Sequence, residues 1–428
     1  MKGSLSRHSL MFPILFFGGI NQDSALIMHH KVPWMVVLLM CTCTSVTVGQ
    51  SMPCSATSTT ISSPAYVGSA CTAISYSGVT FSGSTFNISI GTMPKTASSL
   101  TVSLTSCAIN GAILIIDAGT WWPEGSPSVT LTVSSLSSSG SGNTAFLVQG
   151  AFPPNSAITI TGMSLSGYSQ LVAQNSQNTG FQKNMVVRNI VLVHSTFLVS
   201  QSTFTIPDVR FQGMSVENFF NITQGSSFTV TGCSCAQGST AIPFYAYFTV
   251  SGPNSVFTVT NNNVKGHESA LEFHELIDVY DGATLIISSN TVGFTPCQTT
   301  TCSYGALDME GVNAWDGGTF HCESNTGTAI VIRQVLMSSG AVAYIQNNAV
   351  TSSPIEGFMA DTFQTINAVL YREHDLVQHR RQHSHKRHHV GSGGRYIHRK
   401  KHSIGGPNQF YHDVQHHALP SELSAHVK

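Results

Sequence analysis

Asp308 and Glu310 alternate along an extended segment, which puts both carboxylates on one face of a strand, while Asp278, Asp281 and Asp316 recur at intervals that would stack them on neighbouring turns of a repeat. Carboxylates at controlled separation are what glycosidic cleavage needs, and a calcium cluster beside a basic residue serves lyase chemistry. Lys265, His267 and Glu268 form the one compact titratable group. Against a catalytic reading, these are the ordinary surface residues of an acidic segment, and Asp281 and Asp316 each open an Asp-Gly turn. His274, between Phe273 and Glu275, and His321, beside Cys322, read as strand residues. The expectation is therefore no catalytic residue, no cofactor and no metal site.

The elements that would position these side chains show themselves as a repeat. Six segments superpose: Ala157-Ile-Thr-Ile-Thr-Gly-Met163, Ser227-Phe-Thr-Val-Thr-Gly-Cys233, Val256-Phe-Thr-Val-Thr-Asn-Asn262, Thr284-Leu-Ile-Ile-Ser-Ser-Asn290, Thr319-Phe-His-Cys-Glu-Ser-Asn325 and Val342-Ala-Tyr-Ile-Gln-Asn-Asn348. Each is a short alternating strand ending at a small or amide residue, and the lead-in Asp281-Gly-Ala-Thr284 returns as Asp316-Gly-Gly-Thr319. The gap between Met163 and Cys233 leaves room for one more copy. Leucine-rich and ankyrin units need a helix or its equivalent in every repeat, and propeller blades are longer than these intervals. The pattern predicts an all-β fold, a right-handed parallel β-helix (solenoid) with a disordered basic tail, in which equivalent residues of successive rungs lie about 4.8 Å apart. Asn262, Asn290, Asn325 and Asn348 are expected at the bend as a turn ladder, each in αL geometry and bonded to its counterparts above and below.

Composition agrees. Charged residues make up 9% of the 428-residue chain and hydrophobic ones 41%, against about 25% charged in ordinary globular chains. Helical bundles and doubly wound nucleotide enzymes pave their exposed helices with Lys and Glu, so both are disfavoured. Residues 50–370 hold six Lys or Arg against fifteen Asp or Glu, whereas residues 371–428 hold ten against four, plus twelve of the 19 His. The two parts are different materials.

Lys31-Val-Pro-Trp34 followed by Met-Val-Val-Leu-Leu-Met40 is basic and then apolar, and Thr47 and Gly49 stand at −3 and −1 of a cleavage site before Gln50. The organisation expected is an upstream extension over 1–27 ahead of an initiating Met28, a signal peptide over 28–49, an N-terminal cap region over 50–94, β-helix repeats over 95–365 and a His/Arg-rich low-order tail over 366–428. Export makes Asn87-Ile-Ser89 and Asn221-Ile-Thr223 glycosylation sequons, and it makes Cys297 and Cys302, which enclose only Gln-Thr-Thr-Thr, candidates for a loop-closing disulfide. The pairing of the other exported cysteines stays open. No Cys-x-x-Cys zinc spacing is present.

The x-Phe-Thr-Val-Thr-Asn-Asn-x-Val phrasing, with Leu271-Glu-Phe273 and Leu307-Asp-Met309 between rungs and Asp-Gly-Ala-Thr-Leu lead-ins, resembles the dispersed gene family proteins of trypanosomes over residues 50–365. The resemblance implies β-helical, glycosylated, secreted or cell-surface proteins of adhesin-like character, reaching a host cell-surface or matrix protein or glycan. Members of that family are very large and carry membrane spans near the C-terminus. Here the tail instead reads Gln378-His-Arg-Arg-Gln-His-Ser-His-Lys-Arg-His-His389, as Ser/Thr/Asn-rich codons do out of phase, and no stable membrane anchor is expected in this chain. Nucleic acid is not expected as a partner, because the basic run has no aromatic stacking platform and the chain is exported. The competing class is a β-helical polysaccharide lyase or hydrolase acting on acidic glycans. The Asn-Thr-Asp, Asp-Asp and Gly-His-Gly elements of β-helical pectinases are missing, with Asn325-Thr-Gly327 and Lys265-Gly-His267 only partial echoes.

Overall fold

Segments such as Val256–Thr260 alternate Phe and Val with Thr, and a strand places the first set on one face and the second on the other. The computed structural model describes residues 50–138, 143–166, 182–205, 211–294 and 306–350, together with the backbone of strands Phe358–Ile366, Val369–His374 and Arg395–Lys400. Its strands pair in parallel throughout, and they wind as a β-helix with three faces. One face is a 13-stranded ladder of mostly five-residue strands. The other two, a short face and a long face, join into one sheet because Ser234–Ser251 and Asn263–Tyr280, of 18 residues each, run across the corner between them without a break.

The repeated phrases fall in register on the five-residue face. Ser227 pairs with Val256, Val256 with Thr284, Thr284 with Thr319 and Thr319 with Val342. The missing copy is Thr196–Ser202, whose strand Thr196–Ser200 lies between Ala157–Thr161 and Ser227–Thr231. Parallel stacking also runs through residues 50–94, set apart above as a cap region, where Ser55–Thr57 pairs with Ala73–Ser77 and that strand with Ser99–Thr105. At the other end Val369–His374 and Arg395–Lys400, inside the segment assigned above to the tail, continue the five-residue face as backbone strands. The leader and the rest of the tail lie outside the described residues.

Inward side chains form one continuous core, with Phe197, Phe228 and Phe257 stacked on successive rungs and fully buried. Their rings stand 5.4 Å apart in both steps, and Phe248 from the long face lies parallel to Phe257 at 4.4 Å. Each such ring is worth about 2–3 kcal/mol in water-to-core transfer. Cys107, Cys233 and Cys322 are unpaired and buried in this core, where burial pushes the Cys233 thiol up to about 11 and the Cys322 thiol up to about 12. They act as small apolar side chains. The first rung is instead closed by a Cys54–Cys71 disulfide. Cys297 and Cys302 lie outside the described residues.

The turn ladder exists, with one correction. Asn262 donates its Nδ2 to Oδ1 of Asn290, Asn290 to Asn325 and Asn325 to Asn348, each at 3.0 Å. The αL residue is the one before each of these: Asn261, Ser289, Ser324 and Asn347 have φ between 55° and 57°. The exposed αL residue turns the chain, leaving the next amide extended and pointed inward, where Asn262, Asn290 and Asn325 are buried to 1% or less.

Candidate functional surface

The side chains singled out for chemistry separate once folded. Asp308 is 3% exposed and Glu310 projects from the same strand, so the two do share a face. Both are held by one cation: Arg333 Nη2 donates to the two Asp308 carboxylate oxygens at 2.9 and 2.7 Å, and its Nε lies 3.3 Å from Glu310 Oε2. The clamp ties both carboxylates to one guanidinium, bidentate at Asp308 and single at Glu310. Asp281 and Asp316 are the αL residues of successive bends, with φ of 54° and 48°, and the Gly282 N–H donates to the Asp316 carbonyl. Asp278 stands apart from them and accepts from Asn313 Nδ2 at 2.9 Å. Burial raises its pKa, an effect that the Asn313 bond partly offsets. Lys265 packs its stem near Gly293, while the side chains of His267 and Glu268 lie outside the described ones. Among the described residues no group of His, Cys, Asp and Glu is placed to hold a metal ion.

His321 lies flat against Tyr344 of the next rung at 4.7 Å and bonds Glu323 through Nδ1 at 2.9 Å. It is an outward strand residue on the five-residue face, as its sequence position suggested. His274 is likewise a strand residue, 3.6 Å from Glu272 Oε1 and edge-on to the Tyr245 ring at 5.4 Å.

The long face carries the surface that sequence reasoning missed. Phe219 and Tyr247 are register partners on adjoining rungs, and they are 47% and 57% exposed on the side away from the Val216 and Phe220 core. Two residues before them the Glu217 and Tyr245 positions pair in the same way, and Tyr245 donates its hydroxyl to Glu272 Oε2 at 3.3 Å. Further along, Tyr280 and Trp315 stack face to face at 4.8 Å, 5° from parallel. Phe219 and Tyr247 thus present an exposed aromatic pair, and the Tyr280–Trp315 stack is partly exposed, whereas Glu217 and Tyr245 are buried. Planar rings accept the apolar faces of other molecules, and the polar groups beside them fix orientation. The spacing from 219 to 247 and from 280 to 315 differs, so no repeat phrase announced it; the clue was aromatic residues at outward parity in strands of near-neutral composition.

Asn87 and Asn221 both sit within long-face strands, Asn87 beside Tyr66 and Ile115 and Asn221 beside Val191 and Thr249. Each is half-buried, and each has a buried Oδ1 without a hydrogen-bond partner.

These features define a class, the parallel β-helix with an asparagine ladder and an aromatic outer face. Residues 101–263 match the family model described as the DGF-1 beta-sheet domain, and this supports membership of the chain in the dispersed gene family 1 of trypanosomes. No curated protein and no solved structure matches the chain. No helix among the described residues is long and apolar enough to cross a membrane.

Proposed function

We propose that this chain is a non-enzymatic, adhesin-like β-helix protein, secreted or displayed at the cell surface, that binds a host cell-surface or matrix glycan or protein through the outer side of its long face. The observation that carries this reading is the exposed Phe219–Tyr247 pair beside the Tyr245, Glu272 and His274 cluster. Large exposed rings set on rigid strands are costly to leave in water unless they meet a partner, and Tyr is among the side chains that most often anchor one. Export is supported by the Cys54–Cys71 disulfide, since such bonds persist in oxidising compartments. Asn87 and Asn221 are the glycosylation sites on this reading. The Arg333 clamp on Asp308 and Glu310 favours binding over catalysis.

The test is binding of the purified full chain to immobilised matrix proteins and to a glycan array, with Phe219→Ala and Tyr247→Ala compared with wild type. Loss of tenfold or more in affinity in both variants, with unchanged circular dichroism, is the expected result. Binding that survives in both variants moves the partner to another face, and turnover of any arrayed polysaccharide rejects the non-enzymatic reading.

A further inference from the structure

Lys183 lies in Gln182–Val193 and Glu217 in Phe211–Thr223, adjacent strands of the long face locked in register by Met185–Met214 and Val187–Val216. The Lys183 ammonium nitrogen touches Glu217 Oε1, and the two side chains are 0% and 1% exposed. Ser215 donates its hydroxyl to the same Oε1 at 2.7 Å. The other carboxylate oxygen, Oε2, is buried with no hydrogen-bond partner. An ion pair held this way is poorly compensated, because desolvation of both charges is severe and half of the carboxylate lacks a donor.

We propose that Lys183 and Glu217 condense into an intramolecular amide that ties two successive rungs covalently. In the water-poor site the ammonium hands its proton to Oε1. The neutral Nζ then attacks Cδ of Glu217, the Nζ–Cδ bond forms, and the Cδ–Oε1 bond breaks as Oε1 leaves with two protons as water. The second of these comes from Nζ through the Ser215 hydroxyl, and Oε2 becomes the amide carbonyl oxygen. The balance is one ammonium and one carboxylate giving one amide and one water, with no oxidant or outside reagent. In bulk water hydrolysis opposes this reaction; here burial destabilises the charged reactants and spares the neutral product. The lowered pKa that burial gives Lys183, against the raising influence of Glu217, agrees with access to the neutral amine. Ser215 is a positioning and proton-relay residue, and Arg188, register partner of Glu217, turns its Nε to Gln149 Oε1.

Peptide mapping of the folded full chain by mass spectrometry tests the bond directly. Expected are a linked peptide pair containing Lys183 and Glu217, lighter by one water than its parts, and no tryptic cut after Lys183. Lys183→Arg, which keeps the charge pair and cannot form the same amide, should give the unlinked peptides and migrate more slowly than wild type after full reduction and denaturation. Separate unmodified peptides from the wild-type chain would overturn the proposal. So would a product lighter by one ammonia that joins Lys183 to Gln212, its register partner on the neighbouring strand. Neither readout depends on any binding partner, so failure here leaves the surface reading untouched.

Discussion

Asn290 Oδ1 accepts from both the backbone N–H and the Nδ2 of Asn262, at 3.1 and 3.0 Å, while Asn290 Nδ2 reaches back to the Val259 carbonyl at 2.9 Å. One side chain thus makes three bonds to the rung before it. Asn290→Ala leaves a buried N–H and a buried carbonyl without partners, at about 1–3 kcal/mol each. Chemical unfolding should show a loss of about 3 kcal/mol or more, with the rungs around Asn262 opening before the rest, read by hydrogen exchange. Uniform loss across all rungs would mean the solenoid unfolds as one unit.

Arg333→Ala removes the bidentate cation from the Asp308 carboxylate, which is 3% exposed. With Arg333 itself 29% exposed, the loss is about 1–3 kcal/mol, below that of a fully buried pair. Asp308→Asn added to Arg333→Ala should recover most of that loss, because the remaining group is then neutral. A double variant no more stable than the single one would show that the clamp matters through packing and not charge.

Asp278 titrates with the opposite sign to a salt-bridged carboxylate. Burial raises its folded-state pKa above the ordinary 3.8, so the native chain binds the proton more readily than the unfolded one. Stability through this group is therefore highest below the unfolded value and falls as pH rises through the folded one. Asp278→Asn keeps a group that can accept from Asn313 and removes the charge. Thermal melts should show the variant more stable than wild type at pH 7 and equal to it near pH 3; equal melts at both would assign the carboxylate to solvent.

The five-residue face was legible because its burial alternation and its strand length hold constant from rung to rung, as Ser227–Thr231, Val256–Thr260 and Thr284–Ser288 show. Thr196–Ser202 was anticipated only as room for one more copy; in the structure its Ser202 hydroxyl receives the Met163 N–H at 3.4 Å. The long face was not legible, since its strands range from the five residues of Thr85–Ser89 to the 18 of Asn263–Tyr280 and carry no common phrase. For the same reason the aromatic pair and the Lys183–Glu217 contact, 34 residues apart, left no pattern to follow. The αL assignment missed by one residue because Asn tolerates both positions of the bend, and only burial separates the Asn261 role from that of Asn262.

Parallel stacking also sets how the molecule yields to tension. Inter-strand hydrogen bonds point along the stacking direction, so a pull between the two ends of the solenoid loads them as a zipper, a few at a time. Each peeled rung would free the 28 to 35 residues that separate Asn262, Asn290 and Asn325, roughly 100 Å of extended chain. A solenoid pulled in this way yields stepwise, lengthening by whole rungs of 28 to 35 residues while the remainder stays folded.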